Sequence, residues 1–211
     1  MSGNRKNGHK TLAIILAVIA SIVLLGIIIG VVMFKFGHND EKGAATGASA
    51  LESFKDIAGE SFVETLGDLK EAKKSGEPAK YLAENSVYIL DDEAIEIYVE
   101  SYITAAESTA QATGTTVEKL IVEEWGYESI DAYREEAKQL AHTFIKERLA
   151  VYEAAKSRGV KITESEYKEQ LSVYAVKFGY ATAVEFEYAC TPASIANEML
   201  YDKTLNELSA N

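Results

Sequence analysis

Residues Thr11 to Phe34 form a run of 24 positions without a single Asp, Glu, Lys or Arg. Coiled as a helix, such a run spans about 36 Å, enough to cross the roughly 30 Å hydrocarbon core of a bilayer. It is too long for the apolar region of a cleavable signal peptide, and no small-residue peptidase site stands at its immediate end. The small residues Gly43 to Ala50 would suit a peptidase but lie well past it. The sequence therefore predicts an uncleaved single-pass anchor over residues 11–36, preceded by a cytoplasmic tail of residues 1–10. Arg5, Lys6 and Lys10 precede the run and only Lys35 and Lys42 soon follow it. This bias favours an N-terminus inside the cytoplasmic membrane and an extracytoplasmic remainder. No cysteine follows the run closely, which excludes a lipid on a cleaved N-terminal cysteine. Gly26 and Gly30 make a G-x-x-x-G that either pairs two such helices into a homodimer or reflects the ordinary abundance of glycine in membrane helices.

Beyond the run the chain changes character. Of the net charge of −12, the first fifty residues hold +3, which leaves −15 for residues 51–211. So acidic a surface repels phosphate backbones, and nucleic acid is not an expected partner. Residues 37–50 read as a flexible linker of small and polar residues. From Leu51 onward the apolar spacing is helical, and the fold class expected is all-α, with only Ser86 to Leu90 suited to an extended strand. A first helix is expected over Leu51–Lys74, with Phe54, Ile57, Phe62, Leu66 and Leu69 on its stripe, closed by Ser75-Gly76-Glu77-Pro78. A second is expected over Asp91–Ala112, with Ile95, Val99, Tyr102, Ile103 and Ala106 facing inward. Residues 51–86 are read as a helical extension and residues 87–211 as the main domain.

Capping signals divide the rest. Thr115-x-x-Glu118 predicts a capping box that opens a short helix through Trp125. Ser129 caps a long helix that runs to Gly159, with Ile130, Tyr133, Ala137, Leu140, Ala141, Phe144, Val151, Tyr152 and Ala155 as its buried stripe. Thr163-x-x-Glu166 and Thr182-x-x-Glu185 repeat the box, and Thr191 with Pro192 at N1 starts a last helix carrying Ile195, Met199, Leu200, Leu205 and Leu208. Gly126-Tyr127-Glu128-Ser129 and Gly179-Tyr180-Ala181-Thr182 are one turn device used twice, with Tyr133 and Phe186 in matching places. Turn chemistry of this kind suits any pair of helices whatever their function.

Little in the sequence suggests catalysis. His9, His38 and His142 are scattered, and Cys190 has no partner cysteine or neighbouring histidine. Adjacent acidic pairs such as Glu123-Glu124 point to different sides of a helix. No catalytic residue, metal ligand or cofactor is expected, and the chain is read as a non-enzyme. The twelve tyrosines carry more weight. A tyrosine has an apolar body and a wet tip, and suits surfaces that grip varied partners. Tyr167, Tyr174, Phe178, Tyr180, Phe186 and Tyr188 crowd one stretch. Either all six pack on the last helix, or a minority stays exposed. Tyr174 and Tyr188 are the expected exposed pair, and with Phe178 and Tyr180 they form the candidate polypeptide-binding set.

Several stretches resemble the C-terminal helical domain of bacterial trigger factor. Gly159-Val160-Lys161-Ile162-Thr163-Glu164-Ser165-Glu166-Tyr167 is similar to that family's "G-I-x-V-T-x-E-E". Phe178-Gly179-Tyr180 with Val184-Glu185-Phe186-Glu187, and Met199-Leu200-Tyr201-Asp202-Lys203-Thr204-Leu205, follow in the family's order. Thr113-Gly114-Thr115-Thr116-Val117-Glu118-Lys119-Leu120 and Leu149-Ala150-Val151-Tyr152-Glu153-Ala154 precede them. The same helical cradle occurs in SurA-type periplasmic chaperones. The resemblance implies an ATP-independent holdase that binds unfolded or newly translocated polypeptide. Residues 37–87 are too few to hold the ribosome-docking and isomerase domains of trigger factor, so neither activity is carried over. Two rival readings are a scaffold for one specific envelope protein and a foldase related to peptidyl-prolyl isomerases.

Overall fold

The computed structural model describes residues 54 and 58–210. The expected anchor at 11–36 and the linker at 37–50 lie outside the described residues. Among the described residues no helix is long and apolar enough to cross a membrane.

Among the described residues the architecture is helical with one small β-ribbon. Phe54 and Ala58 are helical and buried. Strand β1 (Phe62–Thr65) follows, then helices α1 (Leu69–Ser75) and α2 (Pro78–Asn85), strand β2 (Val87–Ile89) and helix α3 (Asp92–Thr113). A π-helical turn (Lys119–Glu124) leads to the long helix α4 (Ile130–Arg158), and α5 (Glu164–Lys177), α6 (Ala183–Ala189) and α7 (Pro192–Ser209) complete the chain. The strands pair antiparallel, with Phe62 opposite Ile89.

The first expected helix, Leu51–Lys74, is corrected by this arrangement. Gly59 breaks it at φ +58°, where a Cβ would lie 2.3 Å from the Asp91 carboxylate. That carboxylate accepts from the Glu60 amide at 3.0 Å and from the Glu93 amide at 2.9 Å, so it ties the turn to the start of α3. The following Phe-Val-Glu-Thr is a strand-forming sequence that turns Phe62 outward. Asp68 then restarts the helix by accepting from the Lys70 and Glu71 amides. Pro78, read from sequence as the last residue of the close at 75–78, instead opens a helix of its own through Asn85, within the expected helical extension.

The capping signals fare unevenly. Thr163 and Glu166 form the reciprocal box, Ser129 accepts from Ala132, and Thr182 accepts from Glu185. The box at Thr115 is corrected by one residue: Thr116 accepts from the Lys119 amide, and the Thr115 hydroxyl is buried without a partner. The turn device does recur in three dimensions. Gly126 and Gly179 both sit at φ +83°. Tyr127 packs on Tyr133, and Tyr180 on Phe186, each with ring centroids 5.1 Å apart.

α4 spans about 43 Å at 1.5 Å per residue over its 29 residues and carries two packing regimes. Its N-terminal half packs on α3 through Ala137, Ala141 and Ile145, against Ile95, Tyr98 and Val99. The π-helical turn closes that arm with Ile121 and Trp125 on Tyr133. The C-terminal half is enclosed on several sides. Ala150 and Ala154 meet Ala72, Leu82 and Leu208 of α1, α2 and α7. Tyr152 and Ala155 meet Phe54, Ile195 and Met199. The extension at 58–86 and the later helices therefore share one core.

Leu140, expected in the buried stripe, is 47% exposed, and Phe144 is only half buried. The seam advances strictly by four through Tyr133, Ala137, Ala141 and Ile145, which leaves Leu140 a hundred degrees off its line. Truncating Ile145 to alanine is expected to cost about 2 to 5 kcal/mol in denaturant unfolding, whereas Leu140→Ala should stay within about 0.5 kcal/mol. Equal losses at the two positions would contradict this register.

Candidate functional site

The aromatic stretch predicted from sequence falls on the hairpin of α5 and α6 and its seam with α7. Tyr167, Leu171, Tyr174 and Phe178 recur at helical spacing on the inner face of α5 and join the core cluster with Phe186 and Met199. Phe178 stacks on Phe186 at 5.5 Å and on Tyr174 at 6.4 Å. Tyr180 also packs on Phe186. Phe178 and Tyr180 are thereby half buried.

The expectation that Tyr174 is exposed is corrected. Its ring is only 9% exposed, and its hydroxyl donates to Asp202 of α7 at 2.7 Å. The sequence argument held that a buried tyrosine hydroxyl needs a partner; Asp202, 28 positions away, supplies it. Lys177 bonds the same carboxylate and lies over the Tyr174 ring. Tyr167 likewise donates to Glu187 at 2.8 Å and so clips α5 to α6. Burial, with acceptance by carboxylates second, raises the pKa of both hydroxyls and keeps them as donors. Cys190 is a buried thiol whose pKa burial pushes upward, an inert packing residue.

Tyr188 is placed differently: it is 95% exposed. Val184, one turn earlier on α6, is 76% exposed, and Val176 and Val173 on the outer face of α5 are 72% and 59% exposed. Sequence reasoning passed over these three valines because it followed only the aromatic stripe. The spacing of three between Val173 and Val176 on α5, off the line of Tyr167, Leu171 and Tyr174, and of four between Val184 and Tyr188 on α6 was the available signal. A second apolar exposure lies on the β-ribbon, where Phe62, Val87 and Ile89 stand about half open on one face. Isolated apolar surface residues are common, but grouped ones mark binding surfaces.

Between α5 and α7 lies a cleft of about 510 Å³, with Ile162, Tyr174 and Met199 as its buried lining. Glu166 and Lys203 bridge it at 2.5 Å. Donation from Lys203, together with the Thr163 amide, holds the Glu166 carboxyl at about 2, well below its ordinary 4.5. Among the described residues no group of three His, Cys, Asp or Glu side chains could hold a metal ion.

The described domain is thus helical, with polar seams and with Val173 and Val176 on α5 and Val184 and Tyr188 on α6 left in solvent. The sequence matches the family model of the bacterial trigger factor protein C-terminus over residues 50–209, and the chain belongs to that family. No match is found among curated proteins or among solved structures.

The seam yields two linked expectations. Tyr174→Phe, which removes one bond to Asp202 but leaves that carboxylate its Lys177 partner, should cost about 0.5 to 1.5 kcal/mol in thermal or urea unfolding, while Tyr188→Ser should stay within about 0.5 kcal/mol. Comparable losses would return Tyr188 to the core. Because the folded carboxyl of Glu166 titrates below its unfolded value, its contribution is complete above pH 4.5 and is lost as the pH falls towards about 2. Wild type should therefore exceed Glu166→Gln in stability at pH 6, and the gap should close through that window; a constant gap would contradict the pair.

Proposed function

We propose that the chain is a membrane-anchored, extracytoplasmic, ATP-independent holdase that binds unfolded or newly translocated polypeptides. The observation that carries this reading is the outer face of the α5–α6 hairpin. Tyr188, Val184, Val176 and Val173 remain in solvent on a domain of the trigger factor C-terminal family, although the same hairpin buries its other aromatics. Such a surface binds apolar segments without sequence specificity, because it recognises area and not a set of hydrogen bonds. The acidic balance of the soluble part opposes self-association while the apolar face stays open. Binding by area needs no nucleotide, metal or chemical step, in keeping with a non-enzymatic role.

The anchor supports the location. Residues 11–36 provide a span of sufficient length, and the positive residues before them favour the N-terminus inside. Phe54 enters the core soon after the linker, so the binding domain is tethered close to where a translocated chain emerges.

The purified chain from residue 51 onward is expected to suppress aggregation of an unrelated unfolded protein at substoichiometric to equal amounts. Changing Tyr188 and Val184 together to serine should weaken that suppression severalfold with the melting temperature held within a few degrees. Unchanged suppression by the folded variant would remove this face from the binding surface, and no suppression by wild type would favour a scaffold for one specific partner. In spheroplasts the domain should be open to added protease; full protection would overturn the topology.

A further inference from the structure

Arg148 stands where the α3–α4 arm meets α7, and it takes no part in the binding face. Its side chain is 8% exposed and pairs with Glu198 of α7 in a two-pronged fork, Nη1 to Oε1 at 2.5 Å and Nη2 to Oε2 at 2.8 Å. The guanidinium lies over two rings, 4.9 Å from the centroid of Phe144 and 4.5 Å from that of Tyr201. Nη1 also donates to the Tyr152 hydroxyl at 3.1 Å, and that hydroxyl bonds the side-chain oxygen of Asn197. Phe144 in turn packs on Tyr98 of α3 at 5.2 Å, Tyr201 on Tyr152 at 6.2 Å, and Tyr152 on Phe54 at 4.5 Å. A continuous row, Tyr98, Phe144, Arg148, Tyr201, Tyr152 and Phe54, thus joins the arm to α7 and to the segment that leaves the linker.

A buried ion pair is a poor source of stability, because desolvation of both charges offsets most of their attraction and apolar replacements of similar volume often do as well. A fork in contact with two ring faces supplies direction instead. The two prongs fix the carboxylate in the guanidinium plane, and the rings fix that plane. α3 packs chiefly on α4 and the π-helical turn, so the arm reaches α7 through the C-terminal half of α4, and Arg148 stands at the arm-side end of that seam, where the directional contacts lie. The α5–α6 hairpin packs on α7 and follows it.

We propose that Arg148 is a positioning residue that fixes the angle between the α3–α4 arm and α7, and so sets how the arm and the apolar hairpin face are presented together to a client. The consequence for clients rests on the chaperone reading above; the geometric part does not.

The test uses the full-length chain in lipid nanodiscs, with Cys190→Ser to remove the native thiol and spin labels at Glu123→Cys and Asn206→Cys. Pulsed electron resonance then measures the distance from the arm tip to α7. For Arg148→Met with Glu198→Leu we expect a melting temperature within a few degrees of the parent, an approximately twofold broader distance distribution and severalfold weaker aggregation suppression. Arg148→Lys, which keeps the charge and loses the planar fork, should broaden the distribution to an intermediate width. A folded double variant with the parent's distribution would overturn the proposal. If the double variant does not fold, an unchanged distribution in Arg148→Lys overturns it instead. A parent that suppresses no aggregation refutes the chaperone reading alone, since the distance widths still decide the role of Arg148.

Discussion

α4 has to be buried along its whole length against two different sets of partners, and the rest of the fold is arranged to satisfy it. Along its first half one seam suffices, because α3 covers Ala137, Ala141 and Ile145. Past Arg148 the small side chains Ala150, Ala154 and Ala155 let α1, α2 and α7 approach on several sides. A helix that is apolar around most of its circumference cannot stand in water. The N-terminal segments must therefore come back onto it, which is why Phe54 and the two short helices belong to the same core as α7.

The two packing regimes change over at a charged residue. An arginine in that place would be costly unless fully partnered, and Glu198, Tyr152 and the two flanking rings supply the partners. Burial acts against its charge, but the Tyr152 oxygen and the Glu198 carboxylate more than offset it, and the group stays protonated. The hairpin beyond follows the same economy of partners. Tyr167 and Tyr174 are buried because Glu187 and Asp202 accept their hydroxyls, whereas Tyr188 has no need of a partner because it stays in water.

Much of the helical order was legible in the sequence because caps and glycines act locally. Ser129, Thr163, Thr182 and Thr191 each accept from the third amide onward, and Gly114 and Gly159 each end a helix in the left-handed region. What escaped depends on distant partners. The break at Gly59 answers to the Asp91 carboxylate, and the ribbon to pairing between strands on either side of two helices. Tyr174 was misplaced because Asp202 is its neighbour only once α7 folds back, and no local pattern marks that pairing. Arg148 was missed for the same reason, since its carboxylate partner Glu198 lies on α7, fifty positions later. The exposed apolar side chains of the hairpin were half legible: Tyr188 stood out as an aromatic beyond the needs of the seam, while Val173, Val176 and Val184 carried no aromatic signal.

The central claim is that the outer face of the α5–α6 hairpin holds unfolded chains. It is tested most directly by placing a photo-crosslinking amino acid at Tyr188, and in a separate protein at Glu107 of α3, which is also exposed. Each is irradiated with an unfolded client and with the same client folded. The account predicts strong adducts at position 188 with the unfolded client only, and few at 107. Equal yields at both positions, or adducts at 188 with folded and unfolded client alike, would contradict it.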